Sequence, residues 1–396
     1  MTISATTQGI KPGVCLSTAK PANPFDGQVI YMTDVDQTAV WDGTQWTVLA
    51  PIAGGRNVVI NGAMQVAQRG TSFAGVSTVN NYSVDRFDIN ISALGTWTIS
   101  QESDAPTGSG FRKSLKYLVT TADASPAATD FCAAFHKMEG QNVQQFLKGT
   151  ASAKEFSLSM WVKSGTTGTY IAELIDSDNT RYCSQSYTIS VADTWEKKTL
   201  VFPADTTGVL DNDNAQSLAF NFYLASGSTR NSGTLQTVWG TSTTAGRATG
   251  QVNLAAAAVA ATNYWQVTGV QLEVGSVATP FEFEQISTTL AKCQRYYTRY
   301  TAGVLASTVI ATSTTVFEGA IPLIVAMRTT PTTLDSSSTR LSDAATTTNT
   351  ATLLINASNS GSTSVYLTGT VASGLTAFRP YHFSTNGGYY GFSAEL

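Results

Sequence analysis

Apolar residues recur at every second position in short segments along most of this chain. In the stretch 154–163, Phe156, Leu158, Met160 and Val162 fall on one side, and in Leu218–Leu224 the residues Leu218, Phe220, Phe222 and Leu224 do the same. Phe87, Ile89 and Ile91, then Trp97 and Ile99, then Leu115, Tyr117 and Val119 repeat the alternation, as does the segment 265–274. A period of two predicts half-buried strands, and Gly, Asn, Asp, Ser and Pro between them supply the turns. Many short strands of this kind make an all-β sandwich or barrel. Helical spacing is scarce. One candidate lies around Met138–Leu147, and a second at Ser287–Tyr297, where Ile286, Leu290, Cys293 and Tyr297 share a face and Ser287 is the expected N-cap.

Composition divides the chain into successive regions. Residues 1–55 predict a three-stranded meander, Val29–Thr33, Thr38–Trp41 and Gln45–Leu49, with Asp42–Gly43 as a hairpin turn because glycine tolerates positive φ. So small a sheet needs a neighbour or sister chains. Residues 56–286 form the long β-rich centre and 287–300 a linker helix. Residues 301–396 hold only seven charged side chains and are expected to form a C-terminal β-sandwich tip.

The charge content changes the list of partners. Only 13% of the 396 residues are charged, about half the usual ~25%, and the net charge is −4. With no basic run, nucleic acid and anionic membrane surfaces drop out as default partners. The longest apolar run, Leu254–Ala261, is too short to span a bilayer, and the first 13 residues do not read as a secretory leader. Cys15, Cys132, Cys183 and Cys293 are widely spaced, so they read as free thiols made in a reducing cytoplasm.

Candidate chemistry is sparse. His136 and His382 are the only histidines, without metal or catalytic spacing, and no phosphate-binding glycine loop occurs. Asp176/Asp178 and Asp211/Asp213 form alternating acidic pairs, and Glu273 is a weaker cation candidate, but the pairs lack the remaining ligands of a calcium loop and read as solvated turns. No catalytic residue, cofactor or metal is assigned. Binding remains. If the even positions of Leu218–Leu224 face inward, Asn221 and Tyr223 face solvent, with Trp161 and Tyr170 as further outward rings. A ring covering the apolar face of a sugar, beside amides and hydroxyls, needs little charge, so these residues are candidates for glycan contact.

Several segments then carry a resemblance. Gly27–Leu49, Asn57–Ser72 with Tyr82–Phe87, Met138–Phe146, Phe156–Ser164, Thr194–Pro203 and Val267–Phe283, leading into the stretch 290–297, are similar in their order to a family of bacteriophage tail-fibre and minor tail structural proteins; the stretch 321–334 is similar to the start of their C-terminal domain. The resemblance implies a central jelly-roll domain like that of carbohydrate-binding modules. It further implies a homotrimeric, non-enzymatic virion component made in the host cytoplasm. Such a protein attaches to other tail proteins by its N-terminal part and meets host surface polysaccharide or lipopolysaccharide with its distal part. On that footing Tyr381, His382, Tyr389 and Tyr390 are the receptor candidates of the tip. Asp85 and Arg86 are expected to pair or cap a loop, and Glu273 and Arg295 to tie core to linker helix. Two alternatives stand beside adhesion: a purely architectural adaptor or fibre shaft, and, less favoured, a polysaccharide depolymerase.

Overall fold

The computed structural model describes residues 12–35, 37–49, 55–79, 82–241, 244–259, 262–301, 305–343 and 345–396. Met1–Lys11, read above as no leader, and the last two alanines of the Leu254–Ala261 run lie outside them. The chain divides into two compact units, Met1–Arg56 and Asn57–Leu396.

The first unit is a four-stranded sheet, one strand more than expected. Gly13–Cys15 runs parallel to Val29–Met32, which pairs antiparallel with Gln37–Trp41, and that strand with Trp46–Val48. Ile30, Met32 and Ala39 form its small core. The turn at Gly43 (φ 98°) is held by Asp42, whose carboxylate accepts from the Thr44 and Gln45 N–H groups and from the hydroxyls of Thr44 and Thr47. These hydrogen bonds, the Gln45 N–H first, hold the Asp42 carboxyl well below its usual range.

The second unit contains a sandwich of two six-stranded antiparallel sheets. One runs, in spatial order, Glu196–Phe202, Phe156–Ser164, Tyr264–Val274, Ser114–Thr121, Thr96–Glu102, Ser72–Val76. The other runs Gly240–Thr241, Arg181–Ile189, Gly168–Asp176, Gln216–Ser226, Phe131–Glu139, Phe87–Ser92. The alternating residues meet between the sheets as predicted: Phe156, Leu158, Met160 and Val162 from one face Phe220, Phe222, Leu224 and Phe87 from the other in a single core. Burying each such side chain stabilises the fold by about 1.5–3 kcal/mol.

Two helix assignments change. The predicted Met138–Leu147 helix is not a continuous α-helix. Met138 and Glu139 end a strand, and the short 3₁₀ turns Gly140–Asn142 and Gln144–Phe146 follow. Cross-strand pairing of Phe131–Glu139 with Gln216–Ser226 overrides local propensity there, carrying Cys132, Ala134 and Met138 into the core. The second helix exists but spans Ile286–Gln294, with Gln285 rather than Ser287 at the cap position and no side-chain cap hydrogen bond. Tyr297 has already entered a strand, Tyr297–Thr301.

The C-terminal sheet is all-β as expected but closes on itself as a barrel rather than forming two facing sheets. Its order is Pro380–Ser393, Leu305–Ala311, Val316–Pro322, Ser364–Val371, Thr347–Ile355, Thr333–Ser342, and the last pairs back to the first. One 14-residue strand, Pro380–Ser393, makes closure possible. It pairs with Thr333–Ser342 along one edge, while its other edge is shared by Leu305–Ala311 and Tyr297–Thr301. Phe317, Phe383, Tyr390 and Phe392 fill the interior.

Candidate functional site

Burial separates the seven residues expected to touch glycan. Asn221 and Tyr223 are almost fully buried, a correction with a clear cause. Ala248, Leu235 and their neighbours cover the outer face of the second sandwich sheet, packing on Tyr223, Ile171 and Ala133. Beneath this cover, Glu173 accepts from the Asn221 amide (3.0 Å) and the Tyr223 hydroxyl (3.0 Å). Arg247 on the cover grips the same carboxylate at 2.5 and 2.7 Å. Tyr170, the other supposed outward ring of that sheet, is buried against Tyr187. Trp161 stays half-buried on the outer face of the first sheet, beside Lys197 and Thr268 on the adjacent strands.

The four tip residues divide by strand parity. Tyr381 is buried, its hydroxyl accepting from the Thr376 N–H (2.9 Å), and His382 points outward and is exposed. Tyr390 is also buried, stacked on Tyr300 at 4.8 Å, whereas Tyr389 is half-exposed. Odd positions face inward up to Thr385 and even positions from Tyr390 onward. The switch occurs at Asn386–Gly388, where Gly387 takes φ 75° and the register with Thr333–Ser342 is interrupted.

Tyr389 lines a cleft of about 490 Å³ between the sandwich and the barrel. Arg69, Phe73 and Tyr82 form the sandwich wall; Tyr297, Asp335 and Tyr389 form the barrel wall. Hydroxyls of Thr329, Thr332, Thr333 and Ser393 lie between them. The guanidinium of Arg69 stacks on Tyr297 at 3.5 Å and reaches Glu395 at 3.2 Å; that of Arg299 stacks on Tyr389 at 3.4 Å. Asp335 accepts from the Tyr297 hydroxyl at 2.8 Å. Glu395 is also paired with Arg86, itself buried over the Tyr296 ring at 3.5 Å. Both carboxylates are therefore engaged.

The same contacts clamp barrel to sandwich. Of the two roles expected for Asp85 and Arg86, Asp85 takes the loop cap, accepting from the Gln68 N–H at 2.9 Å, and the two do not pair: Arg86 reaches across to Glu395 and donates to the Lys137 carbonyl (2.8 Å). Arg328 donates to the Ala394 and Glu395 carbonyls at 2.9 and 3.0 Å and to that of Asn214 at 2.9 Å. Arg295 is paired with Glu139 at 2.8 and 2.7 Å. Glu273 instead accepts from Thr279 and Gln271.

Of the acidic pairs only Asp176 departs from the expected solvated turn; Asp178, Asp211 and Asp213 are exposed. Asp176 is fully buried and ion-paired with Lys148, not a solvated turn residue. Asp178 accepts from the Asp211 N–H at 2.9 Å. Among the described residues no cluster of three His, Cys, Asp or Glu side chains could hold a metal ion.

No protein-family model matches the chain, and no curated protein matches it. Solved structures with partial likeness include the enzymatically active domain of tailspike protein 4 of bacteriophage CBA120, at 14% identity and TM-score 0.29. That likeness covers 55% of this chain and 21% of the tailspike, so the chain spans about a fifth of the tailspike's length. Two carbohydrate-binding modules of Clostridium thermocellum also overlap with it. The C-terminal family 22 module has 10% identity and TM-score 0.28, covering 53% of this chain and 97% of the module. The family 11 module, solved with a β-1,3-1,4-mixed-linked tetrasaccharide, has 11% identity and TM-score 0.23, covering 56% of this chain and 96% of the module. Overlaps this slight carry nothing about what the present chain binds.

Of the cleft, the sequence pattern pointed only to Tyr389. Arg69, Phe73 and Tyr82 lie together but far in the chain from Asp335 and Tyr389, and the meeting of the two groups depends on where the long strand Pro380–Ser393 ends. The Asn386–Gly387–Gly388 run is the local signal that could have split Tyr389 from Tyr390, because a glycine-rich bulge reverses the faces of a strand.

Proposed function

We propose that the chain is an adhesive structural subunit of a bacteriophage tail, holding a bacterial surface glycan in the cleft between sandwich and barrel. The observation carrying this reading is the pairing of two half-exposed rings, Tyr389 and Phe73, with two fixed carboxylates, Asp335 and Glu395, and a row of hydroxyls. A ring face and convergent hydrogen-bonding groups are what a sugar's apolar face and hydroxyl rim require. Arginine stacking covers one face of Tyr389, leaving the other for a ligand. In this reading residues 1–55 attach to other tail proteins and three copies assemble, so that weak single-site contacts add through effective concentration. Engaged carboxylates fit holding a sugar better than cleaving one, since each already serves a neighbouring arginine or tyrosine.

The test is titration of the full chain and of Tyr389→Ala against an array of bacterial capsular and O-antigen oligosaccharides. Binding lost on substitution at Tyr389 supports the cleft. Binding unchanged by it removes the cleft as the site, and no binding by either protein favours an architectural role.

A further inference from the structure

The sandwich buries an amine that the cleft does not use. Lys148 follows Leu147, whose left-handed backbone (φ 50°) turns the chain inward after the 3₁₀ turn Gln144–Phe146. Its side chain is fully buried, with Nζ in contact with Asp176 Oδ2, 2.9 Å from Asp205 Oδ2 and 4.8 Å from the centre of the Trp239 ring. Nζ also donates to the Thr207 and Gly208 carbonyls at 3.2 and 3.0 Å. Asp176 ends the strand Gly168–Asp176 and is itself fully buried, its Oδ1 accepting from the Asn179 N–H at 2.9 Å.

Two features set this cluster apart from an ordinary buried ion pair. A single carboxylate would neutralise the amine, yet Lys148 meets two. The second, Asp205, is gripped by Arg181 through two hydrogen bonds of 2.8 Å and by the Thr207 N–H at 3.0 Å, so it stays oriented whatever the amine does.

The geometry points to a covalent link: Lys148 and Asp176 join in an intramolecular isopeptide bond, with Asp205 carrying the proton. One proton passes from Nζ to the Asp176 carboxylate. The nitrogen lone pair then attacks Cγ of Asp176 and forms the C–N bond. Asp205 takes a second proton from the nitrogen and delivers it to the departing hydroxyl, so the C–O bond breaks and one water leaves. Ammonium plus carboxylate become amide plus water, no oxidant or reductant takes part, and Asp205 and Arg181 end as they began. Holding the reacting groups in contact replaces a bimolecular encounter, which is where most of such a rate comes from. The bond would close a loop containing one strand of each sheet, Phe156–Ser164 and Gly168–Asp176.

Intact-mass spectrometry of the purified full chain decides this. The expected mass is that of the sequence less one water, with a cross-linked peptide joining Lys148 to Asp176 after proteolysis. Lys148→Arg keeps the positive charge and should run at its full sequence mass. Asp205→Asn, without its proton carrier, should also remain uncross-linked. Asp176→Asn should lose ammonia instead of water and arrive at the same product mass as the natural chain. A natural chain that keeps its full sequence mass after prolonged incubation overturns the proposal, as does a water loss that persists in Lys148→Arg.

Discussion

The outer face of the second sandwich sheet and the outer face of the barrel strand Pro380–Ser393 carry the same residue types, amides and tyrosines, and meet opposite fates. On the sandwich, Asn221 and Tyr223 vanish beneath a cover pinned by Arg247 to Glu173. On the barrel, Tyr389 stays at the edge of an open cleft, with only an arginine on one face. Parity within a strand decides which face a side chain takes. Whether that face meets water is decided by what the rest of the chain lays over it.

The largest break in this contrast comes from Glu173. Glu173→Ala leaves the Arg247 guanidinium partly buried without its partner and strips the acceptor shared by Asn221 and Tyr223. A loss of about 3–5 kcal/mol in urea unfolding is expected, with faster proteolysis in residues 227–251. A loss under ~1 kcal/mol would mean that apolar packing alone holds the cover.

A smaller effect tests the barrel bulge. A Cβ on Gly388 would sit 2.0 Å from the Ser337 carbonyl oxygen, so Gly388→Ala must push the two strands apart where the barrel closes. A destabilisation of about 1–3 kcal/mol is expected, together with altered near-ultraviolet circular dichroism from the barrel tyrosines. A neutral substitution would show that closure tolerates displacement and that the face switch at Tyr389 does not depend on this glycine.

Much of the fold was legible because period-two alternation is a local signal. Phe156–Val162 and Leu218–Leu224 announced their inward faces correctly, and the Asp42–Gly43 turn carries its own chemistry. The polar faces of the same strands were not legible, since the cover over Tyr223 arrives from residues 227–251, which show no alternation of their own. The extra strand Gly13–Cys15 was missed for a similar reason: three residues make no periodic pattern, and only pairing with Ile30–Met32 defines them. Ion pairs such as Arg86–Glu395, which join distant segments, leave no mark in either segment alone.

Acid should weaken the sandwich core through His136. The imidazole is fully buried, stacked on Phe220 at 5.2 Å and 4.8 Å from Phe87, and burial lowers its pKa well below the ordinary 6.5. The native state therefore stays unprotonated while the unfolded chain takes up a proton below 6.5. Stability is full above that pH and falls as pH drops, by about 1.4 kcal/mol per unit from this group. Urea midpoints measured downward from pH 7 should show the slope, and His136→Leu should remove one proton's share of it. An unchanged slope in that variant would assign the acid sensitivity to carboxylates.

The smallest expected change in stability, and the one that isolates the open face, is at Tyr389. Its ring is half-exposed and packs on the Arg299 guanidinium, while Arg299 also donates to the Gln68 and Arg69 carbonyls and does not depend on the ring for its place. Tyr389→Ala should therefore shift the unfolding free energy by no more than about 0.5–1 kcal/mol, the scale of an exposed cation–π contact. Tyr390→Ala, one residue along, removes a buried ring stacked on Tyr300 and should cost about 3–5 kcal/mol. If the two neighbours cost the same, the faces are not separated as the bulge requires. If Tyr389→Ala is nearly silent in unfolding yet loses glycan, the ring belongs to the ligand rather than to the fold.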